Sequence, residues 1–427
     1  DTLLFRYRQY TDFEEFEDKV RLDGRLNNTS VSIKDIMVFA PALENNNFFR
    51  NNRNEILKID GRISGRINNL RGRDLNIKLA DGTDFKGNLS TRNLTVKNEE
   101  LINFRVDRLN TTMNTLRQLI PNFVPPANFD RLGNLSFRGS FDGFFQDFVA
   151  FGELKTDLGR AQMDMRMNFK DGREKASYSG KLRLDNFDLG TWGGNSDFGK
   201  VTFTSEVKNG TGLTAETANA TLNAEIKSFF FKGYNYQNAK MEGTLKKNLF
   251  DGDFSIQDDN IDFGFNGKLN FADSIPVFDF AAQVNKLDLK TLNLSKEDVV
   301  IAGTFDLNLR NNKLSDMEGM AEVYKLSFLH NRKDQYVVDS IKASSVFDLL
   351  GNKAFTLESD VVNAEIVGQF NLTRIPDVFF QYFERNYPEF SRQLGIKSKS
   401  ENRDSTTNFD YNIRIVDSKG LNKLLSD

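Results

Sequence analysis

The chain has 427 residues and a formal net charge of −3, which argues against a nucleic-acid partner because such partners favour a clear basic excess. It contains no cysteine, and this excludes disulfide bonds, thiol nucleophiles and Cys-based metal sites. Its apolar runs are far shorter than the roughly 20 residues that a helix needs to span a bilayer.

Segments in which apolar and polar residues alternate recur along the chain, beginning with "VRLDGRLNNTSVSIKDIMVF" and "ILKIDGRISGRI". Successive side chains of a strand point to opposite faces, so this pattern predicts strands with one apolar and one polar face. Turn signals separate the segments at irregular spacing, which favours a meander over a solenoid. We predict an all-β fold in which residues 1–427 form one continuous segment, an elongated, meandering antiparallel sheet curled along its axis into a groove.

The densest basic stretch, "GRISGRINNLRGRD", contains Arg62, Arg66, Arg71 and Arg73. We interpret it as the solvated face of two strands, with contact to an anionic surface as the alternative. Further along, the spacing of apolar residues predicts a short amphipathic helix near 111–120, which interrupts the strands.

The stretch "IDFGFNGKLNFADSIPVFDFAAQVNKLDLKTLNL", residues 261–294, has apolar side chains at nearly every second position. The parity slips by one at Asn285–Lys286, where we expect a bulge or a corner. Such faces either line an open trough that holds an apolar ligand or pack together in a closed core, and composition does not distinguish the two. The residues predicted to line a groove are Phe263, Phe265, Leu269, Phe271, Phe278, Phe280, Val284, Phe305, Leu307 and Leu309.

The sequence gives little support for catalysis. His330 is the single histidine, and it lies among charged residues at a predicted strand end, a setting typical of the surface. We find no nucleophile elbow, phosphate-binding loop or dinucleotide fingerprint. We therefore expect a protein that is not an enzyme and that needs no metal or cofactor.

The stretch "RIPDVFFQYFERNYPEFSRQLG", residues 374–395, follows helical spacing, and Pro388 is expected to interrupt the helix. We predict amphipathic helix near 375–392, acting as a lid or plug on the apolar face of the sheet. Residues 396–408 have the composition of a flexible loop. The apolar stripe of the lid helix consists of Ile375, Val378, Phe379, Tyr382 and Phe383.

Repeated phrases such as "SGKLRLDNFDLG", "NGKLNF" and "AGTFDLNL", together with the stretch at 125–165, resemble the TamB family (translocation and assembly module). This family belongs to the AsmA-like group of bridge-type lipid transfer proteins, and the resemblance extends over essentially the whole chain. It implies a β-taco, which is a folded sheet that encloses a hydrophobic groove. Because the chain does not begin with Met, we expect an internal fragment of a longer protein.

The resemblance also implies a function. It predicts a non-enzymatic conduit for phospholipid between the inner and outer membranes, in which acyl chains slide along the apolar groove and bound phospholipid accompanies the protein. It places the protein in the periplasm, anchored to the inner membrane through an N-terminal segment absent here, with an Omp85-type (TamA-like) outer-membrane barrel as partner. The alternatives are an assembly scaffold for outer-membrane β-barrel proteins and a closed structural or adhesin rod.

Overall fold

Strands make up most of the protein. The computed structural model describes residues 1–79, 81–93, 96, 99–120, 125–214, 216–311, 313, 315–393 and 408–417. The first twelve strands are β1 Thr2–Arg6, β2 Arg21–Ser32, β3 Ile56–Arg66, β4 Asn69–Lys78, β5 Asp84–Arg92, β6 Leu101–Thr112, β7 Asn134–Phe144, β8 Asp147–Thr156, β9 Gly159–Asn168, β10 Ser177–Asp188, β11 Phe198–Thr211 and β12 Asn219–Phe231.

Ten further strands and seven short α-helices complete the regular structure of the described residues. The strands are β13 Tyr234–Lys246, β14 Leu249–Asp258, β15 Ile261–Asn270, β16 Val277–Asp288, β17 Val299–Arg310, β18 Glu318–His330, β19 Asp334–Phe347, β20 Lys353–Ser359, β21 Val362–Gln369 and β22 Asn408–Ile415. The helices are α1 Phe16–Lys19, α2 Ile33–Phe39, α3 Asn47–Asn51, α4 Met113–Leu119, α5 Leu189–Gly193, α6 Ile375–Asn386 and α7 Pro388–Gln393. Short 3-10 turns lie at Tyr10–Glu15, Pro41–Asn45, Ala127–Leu132, Arg173–Lys175 and Leu372–Arg374.

The strands form a 22-stranded sheet, which confirms the predicted all-β, meandering architecture. The chain divides into two compact units, unit 1 Asp1–Ala239 and unit 2 Lys240–Asp427. Within unit 1, each strand from β1 to β12 pairs antiparallel with the next strand in the sequence. Within unit 2, the same order holds from β14 to β22.

Bulges correct the register where the alternation slips. In the pairing of β15 with β16, Phe263 lies opposite Val284 and Asp262 opposite Lys286, so Asn285 has no partner across the strand. This extra residue keeps Leu287 on the same face as Val284, and it confirms the predicted slip at Asn285–Lys286.

Four strands end in a turn that is built in the same way. The last residue of the strand accepts a hydrogen bond from the backbone N–H three residues later, which satisfies one of the donors that a helical turn leaves open. The residue after each capping residue is apolar, and three of these residues, Ile33, Met113 and Leu189, belong to or pack against buried clusters. The capping residues and their donors are Ser32 with Asp35, Thr112 with Thr115, Asp188 with Thr191, and Asp288 with Thr291.

Helices and strand ends together form the buried apolar clusters of unit 1. Ile33 and Met37 of α2 pack with Phe48 of α3 and Leu57 of β3. A second cluster contains Met113 of α4, which lies in the predicted helix near 111–120 and confirms that prediction; its other buried members are Leu132, Leu135, Phe187 and Val201. Helices thus cover two of the buried apolar clusters of unit 1, while other buried residues such as Leu75 and Val106 lie within strands.

Candidate apolar binding face

The residues predicted to line a groove lie on one face of β15, β16 and β17, which we call the apolar face. Because the three strands pair in register, side chains from different strands line up in rows across the sheet. Each row contains only apolar residues or glycine. The rows are Ile261, Leu287 and Ile301; Phe263, Val284 and Gly303; Phe265, Ala282 and Phe305; Gly267, Phe280 and Leu307; and Leu269, Phe278 and Leu309.

Aromatic rings join these rows. The ring centroid of Phe265 lies 4.9 Å from that of Phe280 and 6.3 Å from that of Phe250 on β14. Phe271 meets Phe278 edge to face, with centroids 5.7 Å apart. These spacings are those of interacting aromatic pairs, so the rings form an apolar surface from β14 to β16.

The apolar face is only partly covered. Phe265 and Val284 are buried, at 8% and 6% exposure, because neighbouring side chains surround them. Phe271 is 52% exposed, since β15 ends one residue before it. The other seven predicted residues are half-buried, whereas aromatic rings in a closed core are largely hidden from water: Phe263, Leu269, Phe278, Phe280, Phe305, Leu307 and Leu309.

The same face continues onto strands that the prediction did not include. On β14, Phe254 lies opposite Phe265 and Ile256 lies opposite Phe263. On the other side, Val323 of β18 lies opposite Phe305. Their period-two alternation was visible in the sequence, but alternation does not reveal which residue of one strand lies beside which residue of another.

The opposite face of these strands is polar and hydrogen-bonded across the strands. Asn266 donates to Asp253 at 2.7 Å, and Thr304 donates to Gln283 at 2.7 Å. Lys268 lies 3.9 Å from Asp251. Exposed ion pairs of this kind contribute little stability. They keep the polar face hydrated, so the apolar face is the one available to an apolar ligand.

A buried lysine at the start of β20 was not predicted. Lys353 is 1% exposed, and its ammonium donates to the carbonyl of Ser315 at 3.1 Å. The ammonium lies 5.3 Å from the ring centre of Phe347 and 5.9 Å from that of Phe370. Burial lowers the pKa of Lys353, and the negative charge of Asp316 partly opposes this shift. The lysine thus ties the loop before β18 to the sheet.

The predicted lid consists of two helices, α6 and α7, with the break before Pro388 where the sequence indicated it. The ring of Phe379 meets Tyr411 edge to face, with centroids 4.9 Å apart, and also contacts Phe409 at 6.4 Å. On β22, Tyr411 lies opposite Ile366 and Phe409 opposite Gly368. The cross-strand pairing extends the row of Leu269 strand by strand from β15 to β22, where the row reaches Tyr411. Tyr411 therefore lies on the same face of the sheet as the predicted groove, and Phe379 packs on that face.

The remaining lid residues differ in their surroundings. Ile375 and Val378 are half-buried, whereas Tyr382 is 49% exposed and pairs with Tyr387. The side chain of Phe383 lies outside the described residues, as do residues 396–407 of the predicted loop at 396–408. Asn408, the last residue of that predicted loop, is the first residue of β22.

Phe379→Asp is expected to release α6 from the sheet, because the new carboxylate would lose solvation against two aromatic rings. Hydrogen exchange should then accelerate in α6 and in β22. Tyr382→Asp places the same carboxylate in the same helix at an exposed position and should have a small effect. Unchanged exchange in the Phe379 variant, or equal acceleration in both variants, would contradict the contact with the sheet as the reason that α6 is ordered.

His330 is the single histidine of the chain. His330 lies at the end of β18 opposite Asp334. In the ranges that the structure describes, no three His, Cys, Asp or Glu side chains are grouped so that they could hold a metal ion. Among the same residues, no helix has both the length and the apolar content that a membrane crossing requires.

Comparison with known proteins gives no relative. No family model matches the chain, and neither does any curated protein or any solved structure.

Proposed function

We propose that the apolar face of unit 2 binds the acyl chains of phospholipids and lets them slide along it, within a protein that conducts phospholipid between two membranes without catalysis. The wider setting rests on the resemblance to the TamB family. It comprises a periplasmic location, an anchor in the inner membrane and an Omp85-type barrel as partner. The structural support concerns the face itself.

The observation that carries the proposal is the composition and exposure of the rows on β15–β17. Every position in these rows is apolar or glycine, yet most of the predicted lining residues remain half-buried. An apolar surface of this kind is costly in water and gains free energy when an apolar ligand covers it. These features favour a ligand-binding face over a closed structural rod.

The expected free energy of acyl-chain binding is compatible with a lipid that slides along the apolar face. Each CH₂ removed from water contributes roughly 0.8 kcal/mol, so one acyl chain gains on the order of 10 kcal/mol on the face. No charged side chain interrupts the rows of β15–β17, and neighbouring positions therefore have similar energies. Small barriers between such positions allow sliding while the headgroup stays in water.

The direct test is mass spectrometry of organic extracts from the purified protein. We expect phospholipid to co-purify and to survive gel filtration. A matched sample that is delipidated in detergent should take phospholipid up again from donor vesicles. A protein that carries no phospholipid and takes none up contradicts the proposal.

One strand is relevant to the alternative function, an assembly scaffold for outer-membrane β-barrel proteins. The strand β22 pairs with β21 and exposes Tyr411, Ile413 and Ile415. Among the described residues β22 pairs along one edge, with β21, and a second edge of this kind can accept a strand of another protein by β-augmentation. Cross-links from β22 to an unfolded barrel protein, in the absence of bound lipid, would favour the scaffold over the conduit.

A further inference from the structure

The face of β2–β6 that lies opposite the buried apolar residues of these strands, which we call the outward face, is strongly basic. These five strands contain 12 Arg and Lys against 5 Asp and no Glu, whereas the whole chain has a net charge of −3. All of the basic side chains are exposed. We call this surface the basic face, and its members are Arg21, Arg25, Lys58, Arg62, Arg66, Arg71, Arg73, Lys78, Lys86, Arg92, Arg105 and Arg108.

The register of the sheet places like charges directly opposite one another. Arg25 of β2 lies opposite Arg62 of β3, and Arg62 lies opposite Arg73 of β4. A second pair joins Lys58 and Lys78 across β3 and β4. Like charges that face each other across neighbouring strands destabilise a sheet. The facing charges therefore lower the stability of the fold, and an anionic partner that binds them would offset this loss.

The protein neutralises only the margins of this face. Arg108 of β6 lies 2.9 Å from Asp84, while Asp23 of β2 lies 3.7 Å from Arg6, which is on β1 and is not a member of the face. In the described part of the chain, no carboxylate lies within ion-pair distance of Arg25, Arg62 or Arg73. The centre of the face therefore keeps its positive charge.

The side chains of the basic face indicate which kind of anion it binds. Proteins that bind single-stranded nucleic acid combine basic residues with aromatic rings on which bases stack. The aromatic residues of β2–β6 are Phe85 and Phe104, which contact each other on the opposite face with centroids 5.9 Å apart. The outward face instead presents guanidinium groups, which form paired hydrogen bonds with phosphate oxygens.

We propose that the basic face of unit 1 docks on the surface of a bilayer that contains anionic phospholipids. Each Arg or Lys near such a surface adds to the attraction, and salt screens it. The docking involves the outward side of unit 1 and is separate from the apolar face of unit 2. It accordingly goes beyond the conduit function.

The test is flotation of the whole protein with vesicles of phosphatidylcholine alone or mixed with phosphatidylglycerol. We expect binding to the mixed vesicles at low salt, loss of binding at high salt, and little binding to phosphatidylcholine alone. The double variant Arg62→Gln with Arg73→Gln should weaken binding to the mixed vesicles on the order of tenfold or more.

The matched control is Arg166→Gln with Arg183→Gln, which removes the same charge from exposed positions of β9 and β10. This variant should keep most of the binding. Equal losses in the two variants would overturn the proposal, because net charge alone would then explain them. Tighter binding to a single-stranded oligonucleotide than to the mixed vesicles would also overturn it.

Two further readouts separate docking from folding and from lipid loading. The Arg62 and Arg73 variant should melt at the same temperature as the parent or higher, since it removes repulsion between facing charges. Its content of co-purified phospholipid should be unchanged, because the apolar face of unit 2 is untouched. A lower melting temperature would contradict the proposal, since the arginines would then serve the fold.

Discussion

Phe280→Arg is expected to lower the phospholipid content of the protein at least tenfold while the protein stays folded. Phe280 is half-buried on the apolar face, between Gly267 and Leu307 in its row. An arginine there can extend its guanidinium towards water while its stem lies on the sheet. The charge then stands across an otherwise apolar row, and an acyl chain would have to desolvate it in order to pass.

The matched control for this variant is Ala281→Arg. Ala281 is exposed on the polar face and lies opposite Asp306, so it accepts the same charge one residue away. We expect normal lipid content and normal melting for this control. Phe265 is a poorer choice for the test, because it is 8% exposed and an arginine there would be buried. Unchanged lipid content in the Phe280 variant, measured by mass spectrometry beside a melting curve, would contradict a path along this row.

Gly267→Ala is expected to destabilise unit 2 by about 3 kcal/mol. Gly267 has φ of 142°, a backbone conformation that residues with a Cβ rarely adopt. A Cβ at this position would also lie 2.5 Å from the Cα of Phe280 on the neighbouring strand. The strand would have to move away from β16, which would break the register that aligns the rows.

Gly264→Ala in the same strand is the control for this effect. A Cβ at Gly264 meets no atom within 4 Å. This substitution should be neutral or stabilise by about 0.4–1 kcal/mol, because alanine restricts the unfolded chain more than glycine does. Chemical denaturation of both variants measures the difference. Similar stabilities for the two would contradict the close approach at Gly267.

The alternation of apolar and polar residues within each strand predicted much of the apolar face. Phe263, Phe265 and Leu269 share one face of β15, because side-chain direction in a strand repeats every two residues whatever the strand pairs with. The slip at Asn285 was visible for the same reason. The break before Pro388 followed from the conformation that proline imposes on its own residue and on the one before it.

The amino-acid sequence by itself therefore determined the strands, their apolar sides and the short helices, since these depend on residues that are near each other in the chain. Only the tertiary structure decided which residues meet across strands. It set Phe280 beside Leu307, buried Lys353 between two rings, and aligned Arg62 with both Arg25 and Arg73. These contacts depend on the register between segments, and the register is fixed by turns, bulges and packing along the whole sheet.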